Sequence, residues 1–225
     1  MLNIFIGYDS REPIAYHVLA HSILRRSTVP VTIAPVKREL IPDFTRPRGA
    51  KESTEFSLSR FMVPHMTRYM GVGLFMDCDM LCRVDVAELD ALLRAKLAFT
   101  FNKVAVCPHD YEPKTDRKFL GQQQTKYPRK NWSSFMAFNA VRCGVLAPEY
   151  VNNAPALDLH RFGWAQDDEI LHLPLEWNWL VGEYKHNERA KFAHFTLGGP
   201  WFKDYTSCDY ADEWREEREH MEACG

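Results

Sequence analysis

No stretch of this sequence comes close to the roughly 18 consecutive apolar residues that a membrane-spanning helix needs. The N-terminal segment "MLNIFIGYDSRE" also lacks the basic n-region and the cleavage site of a secretory signal. Strong net charge is missing too, since 28 basic residues nearly balance 30 acidic ones. Without a net positive charge, nucleic acid is not an expected partner. We therefore expect a cytoplasmic protein, for which peripheral contact with the inner face of a membrane stays open.

The cysteines form no C-x-x-C pair, which excludes the common zinc-finger and redox motifs. Six cysteines in 225 residues are also too sparse for a disulfide scaffold, so we expect reduced and mostly buried thiols. Internal repeats and low-complexity segments are absent from the sequence. The length and the 46% hydrophobic content suffice for one globular domain with a substantial core.

Short apolar runs alternate with helical patterns in the first hundred residues. We predict strands at 2–8, 29–37 and 72–79, and helices at 14–26, 55–71 (bent at Pro64) and 85–95. This alternation is typical of a mostly parallel α/β sheet covered by helices. The second half is less regular, with strands predicted at 103–110 and 134–140, a largely helical stretch at 149–173, a short strand before a Gly-Gly-Pro turn at 191–202, and a terminal helix at 209–223.

An acidic pair interrupts the apolar run "LFMDCDML", residues 74–81. Side chains two residues apart on a strand point to the same side, so Asp77 and Asp79 would lie close together. Two neighbouring carboxylates favour a cation between them, and hard oxygen ligands suit Mg²⁺ or Mn²⁺ carrying a diphosphate. In the alternative, one aspartate caps the next turn and the other faces solvent. Cys78 is predicted to point to the opposite face.

Five segments resemble the metal-dependent glycosyltransferases of GT-A fold, especially the retaining family-eight type that includes glycogenin and bacterial galactosyltransferases. In chain order they are "RF" within "FSLSRFMVP", "LFMDCDML", "SSFMAFN", "DDEIL" followed by Trp177-Asn178, and "HFTLGGPW". The resemblance implies a single GT-A-like domain, with a nucleotide-binding half at 1–100, an acceptor and sugar half at 101–207, and a C-terminal helix at 208–225. It also implies a nucleotide-sugar donor, expected to be a UDP-sugar, and a saccharide, lipid or protein acceptor.

The resemblance also implies individual roles. Asp77, Asp79 and His194 would bind Mn²⁺ or Mg²⁺, although a histidine at a strand end is more often a satisfied core or surface residue. The remaining donor contacts would come from Arg60 toward the phosphate or sugar, Tyr8 and Asp9 toward the base and ribose, and the backbone of Gly198 and Gly199 toward the phosphates. Alternatively, Arg60 is an exposed helix residue and Asp9 or Ser10 caps the helix at Pro13.

The sequence departs from this family pattern in three places. The closing element lacks a lysine before Pro200, and Lys203 is the candidate substitute for its phosphate contact. Residues 132–134, Trp-Ser-Ser, replace an N-[AS]-G motif at the sugar site. Asp168 stands where many relatives have glutamine, so we expect Asp168, with Asp167 second, to stabilise the cationic sugar of the transition state.

The polar stretch 110–131 is long for a connection without periodicity, which is typical of functional loops. This loop would close over the donor, contact the acceptor or remain a solvated surface loop. Its basic residues are Lys114, Arg117, Lys118, Lys126, Arg129 and Lys130. Other functions stay open at this point. They are a phosphohydrolase of the haloacid dehalogenase type, a sugar nucleotidyltransferase and a non-catalytic nucleotide-sugar binder.

Overall fold

A computed structural model describes residues 1–50, 52–115, 117–121 and 127–223. Within these residues the α-helices are α1 (Pro13–Arg26), α2 (Val63–Met66), α3 (Ala87–Lys96), α4 (Pro148–Asn153), α5 (Ala156–His160) and α6 (Ala211–Ala223). The strands in the same residues are β1 (Leu2–Gly7), β2 (Val31–Val36), β3 (Val72–Met76), β4 (Met80–Cys82), β5 (Val104–Val106), β6 (Phe135–Asn139), β7 (Ile170–His172), β8 (Trp179–Leu180) and β9 (Phe192–His194).

The main sheet has the strand order β2-β1-β3-β6-β5-β7. Its first three strands are parallel, as are β5 and β7, whereas β6 runs antiparallel to both of its neighbours. β6 is buried along its whole length, and β3 is buried at every residue but its first, as expected of central strands in a covered sheet. The predicted α/β fold with a central sheet flanked by helices is therefore confirmed, with β6 as the reversed strand.

A smaller sheet of order β4-β9-β8 stands beside the main one. β3 ends at Met76, the chain bends at Cys78 and Asp79, and β4 then begins at Met80. The prediction of one continuous strand through residue 79 is wrong at its end, because the chain leaves the main sheet there and enters the second. This change of sheet puts the acidic pair at the junction of the two.

Two segments predicted as helical are broken up. Residues 55–71 form turns, a 3₁₀ helix at Ser59–Met62 and the single turn of α2, in which Pro64 occupies the first helical turn. Proline has no N–H to donate and therefore starts this short helix instead of bending a long one. Residues 149–173 contain α4, α5, a 3₁₀ helix at Asp167–Glu169 and β7.

The terminal helix α6 forms as predicted and packs against α1. Its Trp214 and the preceding Tyr210 are buried in a second hydrophobic cluster, and Met221 is half-buried against the same cluster. Of the loop 110–131, Lys126 lies outside the described residues, as does Cys224 at the end of the chain. No helix of the described chain has both the length and the apolar character needed to cross a membrane.

Candidate metal and nucleotide site

The bend between the two sheets holds the acidic pair through backbone hydrogen bonds. The amide of Asp77 donates to the carbonyl of Ser134 at the start of β6 (2.9 Å). The carbonyl of Asp79 accepts from the amide of Phe195 (2.8 Å), the residue that follows β9. Since Met80 pairs with His194 across β4 and β9, the histidine is carried to the same bend.

Asp77, Asp79 and His194 each offer one ligand atom within 4.8 Å of the other two. His194 and Asp79 are almost completely buried, and Nε2 of the histidine lies 3.2 Å from Oδ1 of Asp79. Oδ1 of Asp77 and Oδ1 of Asp79 are buried and accept no well-aligned hydrogen bond among the described residues, although Arg60 and His194 lie 2.8 and 3.2 Å from them. Buried carboxylate oxygens normally have hydrogen-bond partners, so this group is a candidate cation site.

A chain of hydrogen bonds determines that Nδ1 of His194 carries a proton. The hydroxyl of Ser134 donates to the carbonyl of Asn131 (2.7 Å) and therefore accepts from Nδ2 of Asn178 (2.9 Å). The same Nδ2 lies 3.0 Å from Nε2 of His109, and Oδ1 of Asn178 lies 2.8 Å from Nδ1 of His194. His194 thus donates from Nδ1, which leaves Nε2, on the side of the carboxylates, as the ring atom that a metal ion would bind.

Burial lowers the pKa of His109 to about 3, and the charge of His194 adds to this effect. A neutral His109 accepts at Nε2 from Asn178, so its proton is on Nδ1, 2.9 Å from the hydroxyl of Tyr184. The hydrogen bond to His109 therefore has the same direction as the one to Ser134, since the amide nitrogen of Asn178 is the donor in both. Of the network residues, His194 was predicted as a ligand, Ser134 and Asn178 were noted only as parts of motifs, and His109 was missed.

Arg60 belongs to the acidic cluster. Its Nη1 lies 2.8 Å from Oδ1 of Asp77 and donates to the carbonyl of Ser133 (2.8 Å). The guanidinium also packs over the rings of Phe56 and Phe75, at 5.2 and 4.9 Å from their centroids. Arg60 is buried, so the alternative of an exposed helix arginine is wrong.

The two carboxyl groups of the pair differ in acidity. Burial raises the pKa of Asp77 to about 6 against the opposing charge of Arg60, and the charge of Asp79 adds to the rise. Asp79 is buried as well, but the charges of His194 and Lys118 hold its pKa below the ordinary value. The pair therefore carries its first negative charge on Asp79, and a divalent cation would favour ionisation of both groups.

At the end of β1, the carboxylate of Asp9 is engaged within the protein. Its Oδ1 accepts from the amide and Nε of Arg11 (3.0 and 2.8 Å), and its Oδ2 accepts from the amide of Glu55 (3.2 Å). Asp9 therefore holds the turn before α1, whose N-cap is Glu12 without a side-chain capping bond. Tyr8 is half-buried and meets Tyr16 edge to face.

Glu12 is a buried acid that sequence reasoning missed. Burial raises its pKa well above the ordinary value, and the charges of Asp79 and Asp9 add to the rise. Nε1 of Trp201 donates to Oε2 of Glu12 (3.2 Å). This bond connects the closing turn of the chain, residues 195–202, to the start of α1. A glutamate directly before a helix-initiating proline was the available sequence signal.

The closing turn lies next to these residues. Gly198 has a φ of +140°, a left-handed conformation that favours glycine, and its amide donates to the carbonyl of Phe195 (2.8 Å). A Cβ on Gly199 would lie 2.0 Å from the ring of Trp201, so a larger residue would fit there only if that ring moved. Lys203 is exposed at the start of a 3₁₀ helix, Lys203–Tyr205.

The structure does not bring Asp167 and Asp168 together with this cluster. Both are exposed and precede β7, whose first residue Ile170 pairs with the first residue of β5, Val104. That end of the main sheet is opposite the carboxyl end of β3, where Asp77 lies. Asp167 pairs there with Arg129. The role of Asp168 or Asp167 in stabilising the transferred sugar therefore stays a prediction, which this placement does not support.

Comparison with known proteins places the chain in a family and a fold. It is 43% identical to Protein CDI of Arabidopsis thaliana over 229 aligned positions, covering 96% of this chain and 85% of that protein. No protein-family profile matches the chain.

Similar solved structures include the galactosyltransferase LgtC, with a TM-score of 0.60, 11% identity and coverage of 97% of this chain and 96% of that one. The bifunctional glycosyltransferase WbbM has a TM-score of 0.65 at 15% identity, and the match covers 96% of this chain but only 49% of that one. GlyE of Streptococcus pneumoniae TIGR4 has a TM-score of 0.60 at 12% identity, covering 96% and 60%. The fold is thus that of GT-A-type glycosyltransferases, and by its identity over nearly its whole length the chain belongs to the family of Protein CDI.

Proposed function

We propose that the protein is a metal-dependent glycosyltransferase that moves a sugar from a nucleoside-diphosphate donor to an acceptor. The observation that carries this proposal is the buried cluster at the junction of the sheets. Two buried carboxylates and one imidazole nitrogen each offer a ligand atom within 4.8 Å of the other two, and Oδ1 of each carboxylate accepts no well-aligned hydrogen bond in the described chain. The likeness of the fold to glycosyltransferases supports the reaction class.

Asp77, Asp79 and His194 would hold the metal ion. Two hard oxygens and one neutral imidazole nitrogen suit Mn²⁺ or Mg²⁺ and leave further coordination positions for diphosphate oxygens. When bound, the ion supplies Lewis-acid neutralisation of the negative charge on the leaving nucleoside diphosphate.

The protein's own groups prepare the site for that charge. Arg60 holds Asp77 by an ion pair, and Asn178 holds His194 with its Nδ1 protonated. Buried positions for these groups exclude water and strengthen their interaction with a charged substrate. We propose that the nucleoside lies over the end of β1, where Tyr8 offers an aromatic face and Asp9 positions Arg11.

The donor is proposed to be a UDP-sugar and the transfer to proceed with retention, both on the resemblance to family-eight enzymes. The acceptor is a saccharide, a lipid or a protein. The division into a nucleotide-binding half at 1–100 and an acceptor half at 101–207 fits the strand order, because β1 and β3 lie on one side of β6 and β5 lies on the other.

Release of UDP from a panel of UDP-sugars with Mn²⁺ tests the proposal. Wild-type protein should hydrolyse a donor slowly without an acceptor, which separates an enzyme from a nucleotide-sugar binder. Asp79→Asn should lower this turnover by at least about 100-fold, because one metal ligand loses its charge. Asp168→Asn, on the opposite edge of the sheet, is the matched control and should retain wild-type turnover.

Equal turnover of Asp79→Asn and wild type in Mn²⁺ would contradict the proposed metal site. A loss confined to Asp168→Asn would instead return the catalytic role to that carboxylate. Circular dichroism of each variant confirms that its fold is intact.

A further inference from the structure

The closing turn of the chain, residues 195–202, brings no basic side chain to the acidic cluster. Lys203, the nearest lysine that follows, is exposed on a 3₁₀ helix. A metal ion alone rarely binds a diphosphate in proteins, and a lysine or arginine commonly contacts the same oxygens. Arg60 is present in the cluster but is paired with Asp77, so a basic contact that replaces the missing lysine would come from another element.

Lys118 extends from the 110–131 connection to the closing turn. Its Nζ donates to Oγ1 of Thr196 at 3.1 Å, and Thr196 is buried two residues after His194. Oγ1 of Thr196 lies 3.3 Å from Nδ2 of Asn131 as well, and that amide donates to the hydroxyl of Tyr111 (2.7 Å). Thr196 thus fixes the lysine beside the closing turn.

The connection that carries Lys118 is tied down on its N-terminal side. The amide of Lys114 donates to Oε2 of the buried Glu183 (3.0 Å), and its Nζ donates to the carbonyl of Gly182 (2.9 Å). These bonds join the connection to the segment after β8, so Lys118 is presented by an anchored chain.

The charge of Lys118 acts on the proposed metal ligands. It favours the ionised forms of Asp77 and Asp79, whose charges in turn oppose the effect of burial on the ammonium. An ammonium has three donors, and Thr196 is the hydrogen-bond partner of Nζ in the described chain. The donors left over are available to an anionic ligand of the acidic cluster.

The charges of the cluster fit such a ligand. The cations Arg60 and Lys118 offset the carboxylates Asp77 and Asp79, and a divalent ion would make this group of four side chains net positive. A nucleoside diphosphate brings the opposite charge. Lys118 and the metal ion would then both contact the same diphosphate.

We propose that Lys118 is the diphosphate-binding lysine of this protein, supplied by the 110–131 connection in place of a lysine in the closing turn. This inference rests on the proposed function. It assigns the phosphate contact to Lys118 and not to Lys203. When the nucleotide is absent, the positive charge of Lys118 would oppose binding of the metal ion.

Isothermal titration calorimetry of UDP, with GDP as a second probe, in the presence of Mn²⁺ tests the assignment. Lys118→Met should weaken binding of the nucleoside diphosphate about 10- to 100-fold, the loss expected for one charged hydrogen bond. Titration of Mn²⁺ alone should show equal or tighter binding to Lys118→Met, because a neighbouring positive charge has been removed. Lys203→Met is the matched control and should bind as wild type, and Lys118→Arg should retain part of the affinity.

Unchanged nucleotide affinity of Lys118→Met would overturn the inference, as would a loss confined to Lys203→Met. Parallel loss of Mn²⁺ and nucleotide would also overturn it, because Lys118 would then only shape the metal site. Wild-type protein that binds neither Mn²⁺ nor either nucleotide would instead refute the proposed function itself.

Discussion

At the scale of single residues, the chemistry of the site depends on where one proton lies. The hydroxyl of Ser134 has a backbone acceptor, so it must accept from the amide of Asn178. That orients the amide oxygen toward His194 and places the imidazole proton on Nδ1. Ser134, which would contact neither the metal ion nor the donor, thus orients the imidazole as a ligand through Asn178.

Replacing Asn178 with Leu should therefore weaken Mn²⁺ binding about 10- to 100-fold, the usual effect of losing a group that orients a metal-binding histidine. Nitrogen-15 spectra of the His194 ring check the cause directly. The wild-type spectrum should show the Nδ1-protonated tautomer, and that signature should be lost in Asn178→Leu.

Asn178→Asp is the control that separates orientation from packing. Its carboxylate can still accept from Nδ1 of His194 but no longer donates to Nε2 of His109. We expect it to bind Mn²⁺ more tightly than Asn178→Leu. Identical metal affinity of all three proteins would show that the network does not orient the ligand.

At the scale of elements, an unexpected buried charge joins the terminal helix to the first helix. Glu217 on α6 is buried, and it meets His21, Arg25 and Arg26 on α1 at 2.6, 3.0 and 2.5 Å. Burial alone would raise the pKa of Glu217, but the hydrogen bonds from Arg26, Arg25 and His21 hold it below its ordinary value of 4.5. The ionised carboxylate of Glu217 therefore stabilises the folded state.

Because the folded-state pKa of Glu217 is lowered, its stabilisation is present above pH 4.5 and is lost as the pH falls below that value. Glu217→Gln should reduce the free energy of unfolding at pH 7 by about 1–3 kcal/mol. The effect stays below that of fully buried pairs because the basic partners are partly exposed. Urea unfolding across pH 3–8 should show the difference from wild type shrinking below pH 4.5, whereas Glu216→Gln, on the exposed neighbour, should match wild type throughout.

Elements with strong local signals could be predicted from the sequence. β1, β3, α1 and α6 follow from apolar periodicity and from Pro13 at a helix start. The acidic pair could be found because two carboxylates in an apolar run are unusual. His194 could be placed only through the resemblance, since 115 positions separate it from Asp79 and nothing local connects them.

The failures have tertiary causes. Residues 55–71 carry a helical spacing of apolar residues, yet Arg68 and Tyr69 adopt positive φ and the segment packs as turns. Asp168 was assigned from a short motif, but strand pairing decides at which edge of the sheet a residue lies. The role of Ser134 and His109 in orienting His194 depends on contacts between distant segments, which no local pattern encodes.

At the scale of the whole molecule, the proposed metal site joins the two sheets. Asp77 follows β3 of the main sheet, whereas His194 ends β9 of the smaller one. An ion bound by both would connect the sheets at the point where the chain passes between them. Such an ion binds only the folded arrangement, so it should stabilise the entire fold and not one loop.

Mn²⁺ at about 100 times its Kd should therefore add about 2.7 kcal/mol to the free energy of unfolding. For a chain of this length that corresponds to a rise in Tm of about 5–11 °C, measurable by differential scanning calorimetry. His194→Gln should abolish most of this rise, because the ligand from the smaller sheet is removed. His220→Gln, at an exposed position of α6, should show the full wild-type rise. If His194→Gln were stabilised by Mn²⁺ as strongly as wild type, the ion would bind elsewhere and the two sheets would not be joined through it.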